Sequence, residues 1–211
     1  MTVPWIAILK SGTLLFVLLN PFLMSIYLLD LIEQLDSRTF THTLGRGALI
    51  ATAVFCAFAV GGDAIFADLL QVRFASFLIF GGILFLLIGI RFAQQGSGAL
   101  GELRGRPEHI AGSIAMPFMV GPGTVSASVF AGAHLPIGWA LVSIVGAMVV
   151  TVAGLAAIKL AHEHLRTRNA ALVDRYIDVV GRVSALLIGT IAVDMILRGI
   201  DLWHGELGQR G

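Results

Sequence analysis

The chain has 211 residues, of which 57% are hydrophobic and 13% charged. A soluble domain carries about 25% charged residues, so an ordinary soluble enzyme is excluded. Fourteen Lys and Arg against thirteen Asp and Glu leave a net charge of +1, which offers nucleic acid no basic footprint.

Six apolar stretches follow in chain order, at about 5–31, 45–66, 72–92, 110–131, 135–160 and 177–203. Each is long enough to cross about 30 Å of hydrocarbon as a helix, and none shows the in-and-out alternation of barrel strands. The first stretch lacks a basic leader and a small-residue cleavage pattern, so it reads as a retained span. The expectation is an all-α polytopic membrane protein, one transmembrane domain over 1–211 with six helices. Polar breaks fall at 33–46, 94–109 and 161–174. Nine basic residues lie on the side of these loops, among them Arg38, Arg46, Arg91, Lys159 and Arg175. Loops rich in Lys and Arg stay cytoplasmic, so both termini are expected outside. Cys56 lies inside an apolar run and supports neither a disulfide framework nor a cysteine-based metal site.

An offset of 100 residues lays Gly81 on Gly181 and Leu86, Leu87, Ile88, Gly89 on Leu186, Leu187, Ile188, Gly189, and an offset of 101 lays Asn20 and Pro21 on Gly121 and Pro122. These matches suggest two repeats, about 1–95 and 108–205. Three spans is an odd number, so the second copy must enter from the opposite face, an inverted repeat of the kind that underlies many secondary transporters.

Spans one and four are expected to be discontinuous. A proline inside a helix removes one amide donor and frees the carbonyl four residues earlier. Pro21, Pro117 and Pro122 free Val17, Ser113 and Phe118. In hydrocarbon such groups persist only where protein, water or ligand satisfies them. Asn20 before Pro21 is N-cap chemistry for a restarted half-helix, and Gly121, Pro122, Gly123 and Thr124 repeat it in span four. The two half-helix N-termini would face each other near the midplane, with spare amides for a small anion such as a carboxylate. Asn20, Pro21, Gly121, Pro122, Gly123 and Thr124 are therefore the candidate substrate-binding residues.

Charges inside spans are functional candidates. Asp178 and Arg182, one turn apart in span six, form either a structural clamp or a gating contact. Asp194 and Arg198 read as an interfacial ion pair, Lys10 as a snorkelling residue, and Asp30 with Glu33 as anchors at the end of span one. Glycines 81, 82 and 89 in span three and 138, 146 and 154 in span five are expected to permit close helix packing. His162, Glu163 and His164 lack the i, i+4 histidine spacing of a zinc helix and read as a solvated loop. With no nucleophile elbow and no Walker lysine, neither catalysis nor a cofactor nor a metal is expected.

Asn20-Pro21, the run from Phe80 to Leu84, Ala115-Met116-Pro117, the run from Val120 to Thr124, and Arg182 with Gly199 resemble the MarC family of bacterial and archaeal inner-membrane proteins. The resemblance spans essentially the whole chain. It implies a six-span protein of the plasma (inner) membrane placed near the LysE-type exporters, some relatives of which are described as transporters of glycine and alanine. This chain departs at Leu23 and Ile26, where many members have Gly and a second Pro, and at Leu78, where they have Arg. The expected function is a transporter or exporter of a small neutral solute, small neutral amino acids first. The alternatives are a non-transporting membrane scaffold and a carrier of an ion or lipid intermediate. The expected partners are the solute and the bilayer, with the oligomeric state open.

Overall fold

The computed structural model describes residues 5–21, 24–25, 28, 32, 35–95, 119–166 and 170–208, without the side chains of 63, 92, 95, 165–178, 180–182, 184 and 206–208. Among these residues there is no strand. The helices are α1 (Trp5–Leu19), α2 (Ser37–Ala64), a π-helical turn (Ile65–Leu69), α3 (Phe74–Gln95), α4 (Pro122–His134), α5 (Ile137–Arg166) and α6 (Ala170–Gly208). Ser37–Gly62, Phe74–Arg91 and Ile137–His164 are long and apolar enough to cross a membrane, and Trp5–Leu19 is a shorter apolar helix.

Two expected loops are largely helical. α2 begins at Ser37 and not near Gly45, because the Asp36 carboxylate accepts the amides of Arg38 at 3.2 Å and Thr39 at 3.1 Å and so caps the helix. The buried row Phe40, Leu44, Ala48, Ala51, Phe55, Ala59 then runs unbroken from that first turn, giving the early residues a core to pack on. The Thr39 hydroxyl and amide hold the Asp36 carboxyl below its ordinary range. At the other boundary α5 runs on to Arg166 and α6 starts at Ala170. His162, Glu163 and His164 therefore lie on the last turns of a helix, not in a loop.

α2 ends in a kink at Gly62, whose φ of 49° is left-handed and costs glycine nothing. The π turn after it places Phe66 against Phe58, Phe74 and Phe77, with ring centroids 5.5, 4.9 and 4.9 Å away.

α3 and α6 pack antiparallel along a glycine seam. A Cβ at Gly82 would lie 2.6 Å from Ile196 Cγ1 and 2.7 Å from the Ala192 carbonyl oxygen. One at Gly199 would lie 2.6 Å from Ile79 Cγ1, and Gly89 faces Ala185 and Gly189. α1 packs on α5, α4 on α2, and α2 on α5. The closest approach of α4 to α2 is at Gly132, where a Cβ would fall on the Ala59 carbonyl. The expectation for Gly138, Gly146 and Gly154 is corrected: nothing packs over them. They lie off the buried row Ala140, Ile144, Ala147, Thr151, Leu155 of α5, Gly138 and Gly146 exposed and Gly154 half-buried.

Gly132→Val must push α4 off α2, and overpacking of this kind costs about 1–3 kcal/mol. The expected outcome is a lower thermal unfolding temperature in detergent, whereas Gly138→Val, with open space around it, leaves that temperature unchanged.

Candidate functional site

Backbone sterics set the first break. α1 stops at Leu19, and Asn20 takes a φ of 43°, a left-handed conformation that asparagine tolerates better than most residues. Helical hydrogen bonding resumes at once: the Met24 amide donates to the Asn20 carbonyl at 2.9 Å, Leu28 to Met24 and Ile32 to Leu28 at 2.8 Å. Asn20 is half-buried and Pro21 buried.

The second break is a turn built around one hydroxyl. Gly121 is extended, with φ −113° and ψ 168°, and caps α4, which opens on Pro122. The Thr124 hydroxyl accepts the Gly121 amide at 2.9 Å and lies 2.9 Å from both the Met119 and the Gly121 carbonyl oxygens, to which it donates. Ser128 Oγ donates to the Thr124 carbonyl at 2.8 Å. Thr124 is 3% exposed. Its hydroxyl is thus occupied in holding the turn. The amides of Gly123 and Thr124, in the first helical turn, have no acceptor within the helix.

Three other helices hold this turn. A Cβ on Gly81 of α3 would collide with the Pro122 ring, and Phe85, one turn on, sets its ring 3.3 Å from the Cβ position of Gly121 and 3.0 Å from that of Gly123. Leu18 of α1 and Met195 of α6 close on Gly123 at 3.2 and 3.5 Å. The Leu18 contact brings the end of α1, and with it the Asn20 break, to the start of α4. The other ends of α1 and α4 also share one level, since Ile8, Ala131, Leu135 and Ala140 form one cluster and the Trp5 and Trp139 rings lie 6.2 Å apart. The 13 residues of α4 span about 20 Å, which is the distance of the turn from the end that α1 and α4 share.

The candidate residues Asn20, Pro21, Gly121, Pro122, Gly123 and Thr124 are all described, and Leu18, two residues before Asn20, is what joins the first group to the second. Pro117, with Ala115 and Met116, lies outside the described residues, as do Asp30 and Glu33. Asp178 and Arg182 lie on α6 one turn apart, their side chains also outside the description. Asp194 and Arg198 form an ion pair, at 2.7 Å.

Phe85, Met195 and Lys159 escape the sequence reading. Phe85 could have been found from its place one turn beyond Gly81. Lys159 reads as a loop cation, yet it is 2% exposed and continues the buried row of α5. Its ammonium donates to the carbonyls of Ile32 at 2.5 Å and Leu35 at 2.6 Å and pairs with Glu163 at 2.7 Å. Glu163 in turn accepts the Ser37 hydroxyl at 2.8 Å. Lys159 thus caps the carbonyl end of the segment that starts at Asn20, where a cation is favoured. Among the described residues no cluster of metal-ligating side chains occurs.

Long apolar helices, with no strand among the described residues, define a helical membrane protein. The family model described as MarC family integral membrane protein matches residues 5–204, and the chain belongs to that family. Neither a curated protein nor a solved structure matches it.

Thr124→Val removes the hydroxyl and strands the Gly121 amide and Met119 carbonyl, each at about 1–3 kcal/mol. Thermal unfolding in detergent is expected to show that loss, and Thr124→Ser to restore it. Lys159→Met leaves the Ile32 and Leu35 carbonyls without their donor, each at about 1–3 kcal/mol. Its expected signature is early proteolysis between α1 and α2, which Lys159→Arg reduces.

Proposed function

We propose that the chain is a secondary transporter of the inner membrane that moves a small neutral solute by alternating access, with small neutral amino acids as the first candidates. The observation that carries this reading is the meeting of two backbone breaks, at Asn20 and at Gly121, across the Leu18–Gly123 contact. The first turn of α4 would then offer its amides and positive dipole end to a carboxylate, while the carbonyl freed by Pro21, that of Val17, would be an acceptor for an ammonium. The Phe85 ring lies against the Cβ positions of both glycines, and in this reading it would select for a small solute.

The inverted repeat is part of the same proposal. Exchanging the halves maps α1 on α5 into α4 on α2, and maps the pairs α1–α4, α2–α5 and α3–α6 into themselves; all of these contacts are present. Spans one and four are the discontinuous members, both termini face outward, and Asp178 with Arg182 is the candidate gate or clamp on α6. As a carrier the chain would bind and move the solute without covalent chemistry. The engagement of the Thr124 hydroxyl within its own turn favours a second reading, in which the breaks are a packing device of a non-transporting membrane scaffold.

Counterflow in proteoliposomes separates the two. Saturable exchange of labelled glycine or alanine is expected, reduced about a hundredfold in Gly121→Val with insertion and folding unchanged. A wild-type rate in Gly121→Val would sink the site. A folded wild-type protein that exchanges no amino acid supports the scaffold.

A further inference from the structure

α6 carries charge on its outer face at a depth where lipid tails are the default neighbour. The glycine seam fixes the register of α6 on α3: Gly82 lies against Ala192 and Ile196, and Gly199 against Ala75 and Ile79. Phe74, where the apolar stretch Phe74–Arg91 begins, is then level with Leu202 and Trp203, and Gly82, near its middle, is level with Asp194. A tryptophan at that level marks the membrane interface. Asp194 lies nine residues along the helix from Trp203, about 13 Å deeper, close to the middle of a core about 30 Å thick.

At this depth Arg198 Nε donates to Asp194 Oδ2 at 2.7 Å, with the two side chains 57% and 54% exposed. Thr190 is exposed one turn beyond, its hydroxyl returned to the Leu186 carbonyl at 2.9 Å. The buried residues of α6 are Ala185, Ile188, Ala192, Met195 and Gly199. At 3.6 residues per turn the row Thr190, Asp194, Arg198 falls on the opposite side of the helix. It therefore does not line the Gly121–Thr124 turn, which Met195 touches from the buried side. Charged side chains on a lipid-facing surface are strongly disfavoured, and an arginine near an interface ordinarily snorkels toward water. Here the Arg198 side chain reaches inward, to the deeper residue.

We propose that this row is the contact surface for a second copy of the chain, in a two-fold dimer with α6 packed on α6 inside the membrane. Two copies inserted in the same sense present parallel α6 helices about an axis along the membrane normal, and such an interface brings the same patch together twice. A row with Asp194 and, one turn away, Arg198 complements itself: the carboxylate of one protomer lies beside the guanidinium of its partner, and four charges close into a network screened from lipid. Below the level of Trp203 the row holds one charge of each sign, Asp194 and Arg198; the exposed Asp201 continues it at the level of Trp203, where water reaches the helix. Thr190 is small enough for close approach, and Leu187, Val193 and Leu197 flank the row with exposed apolar surface.

Oxidative cross-linking in native membranes tests this with single cysteines in a Cys56→Ser chain. Thr190→Cys on the row is expected to give the covalent dimer, with roughly tenfold less from Val149→Cys on the outer face of α5, which lies outside the interface. Adding Asp194→Leu and Arg198→Leu makes the face soluble in lipid and is expected to lower the Thr190→Cys yield roughly fivefold. Light scattering in mild detergent is expected to give two copies for the wild type and one for the double-leucine chain, with helix content unchanged by circular dichroism. Cross-linking at Thr190→Cys no better than at Val149→Cys would overturn the proposal, whether or not the double-leucine chain folds. Rapid labelling of Thr190→Cys by a water-soluble maleimide would also overturn it, by showing an aqueous face.

Discussion

A helix can be interrupted inside hydrocarbon only if the backbone groups set free find partners, and at the Gly121–Thr124 turn one hydroxyl meets most of that demand. Pro122 has no amide to offer, and Gly121 enters α4 in an extended conformation. Thr124 answers both the amide and the carbonyls at 2.9 Å. In a medium without water an unpaired polar group costs several kcal/mol, so the placement of the turn, the start of α4 and the approach of α1 depend on this residue.

The turn is held from outside by a pair of helices that behave as a unit. α3 and α6 meet through Gly82, Gly89 and Gly199 at distances that exclude even a methyl group at Gly82 and Gly199. Close backbone approach of this kind replaces the hydrophobic driving force that membranes lack. Gly81 and Phe85 on one helix and Met195 on the other then fit around Pro122 and Gly123. A rigid pair against a broken helix is the arrangement in which rocking of one body relative to another changes access to a midplane site. At the other end Lys159 ties α5 to the carbonyls of Ile32 and Leu35, fixing the far side of the first break.

Much of this was legible before any coordinates. Apolar runs near 20 residues have one interpretation, and proline between glycines in such a run marks a break because of the missing amide. The packing of Gly81, Gly82 and Gly89 followed from small residues on one helix face. The limits of α2 and α5 did not, because a polar first or last turn resembles a loop by composition, and the cap at Asp36 is read only once the carboxylate meets its amides. Lys159 was hidden by the same habit: a cation near the end of a span reads as a loop charge, although its place in the row from Ala140 through Leu155 put it on the buried face. Gly138, Gly146 and Gly154 show the converse, since small residues show where contact is feasible without saying that a neighbour is there.

The central claim is that the two breaks meet at a depth reached by water and solute. Labelling of Asn20→Cys in a Cys56→Ser chain, by a membrane-impermeant thiol reagent in sealed vesicles, tests it most directly, with Gln71→Cys as the exposed reference and Ala147→Cys as the buried one. The account predicts labelling at a rate near that of Gln71→Cys and slowed by the transported solute. A rate as low as that of Ala147→Cys, with folding confirmed, would contradict it and leave the breaks as packing alone.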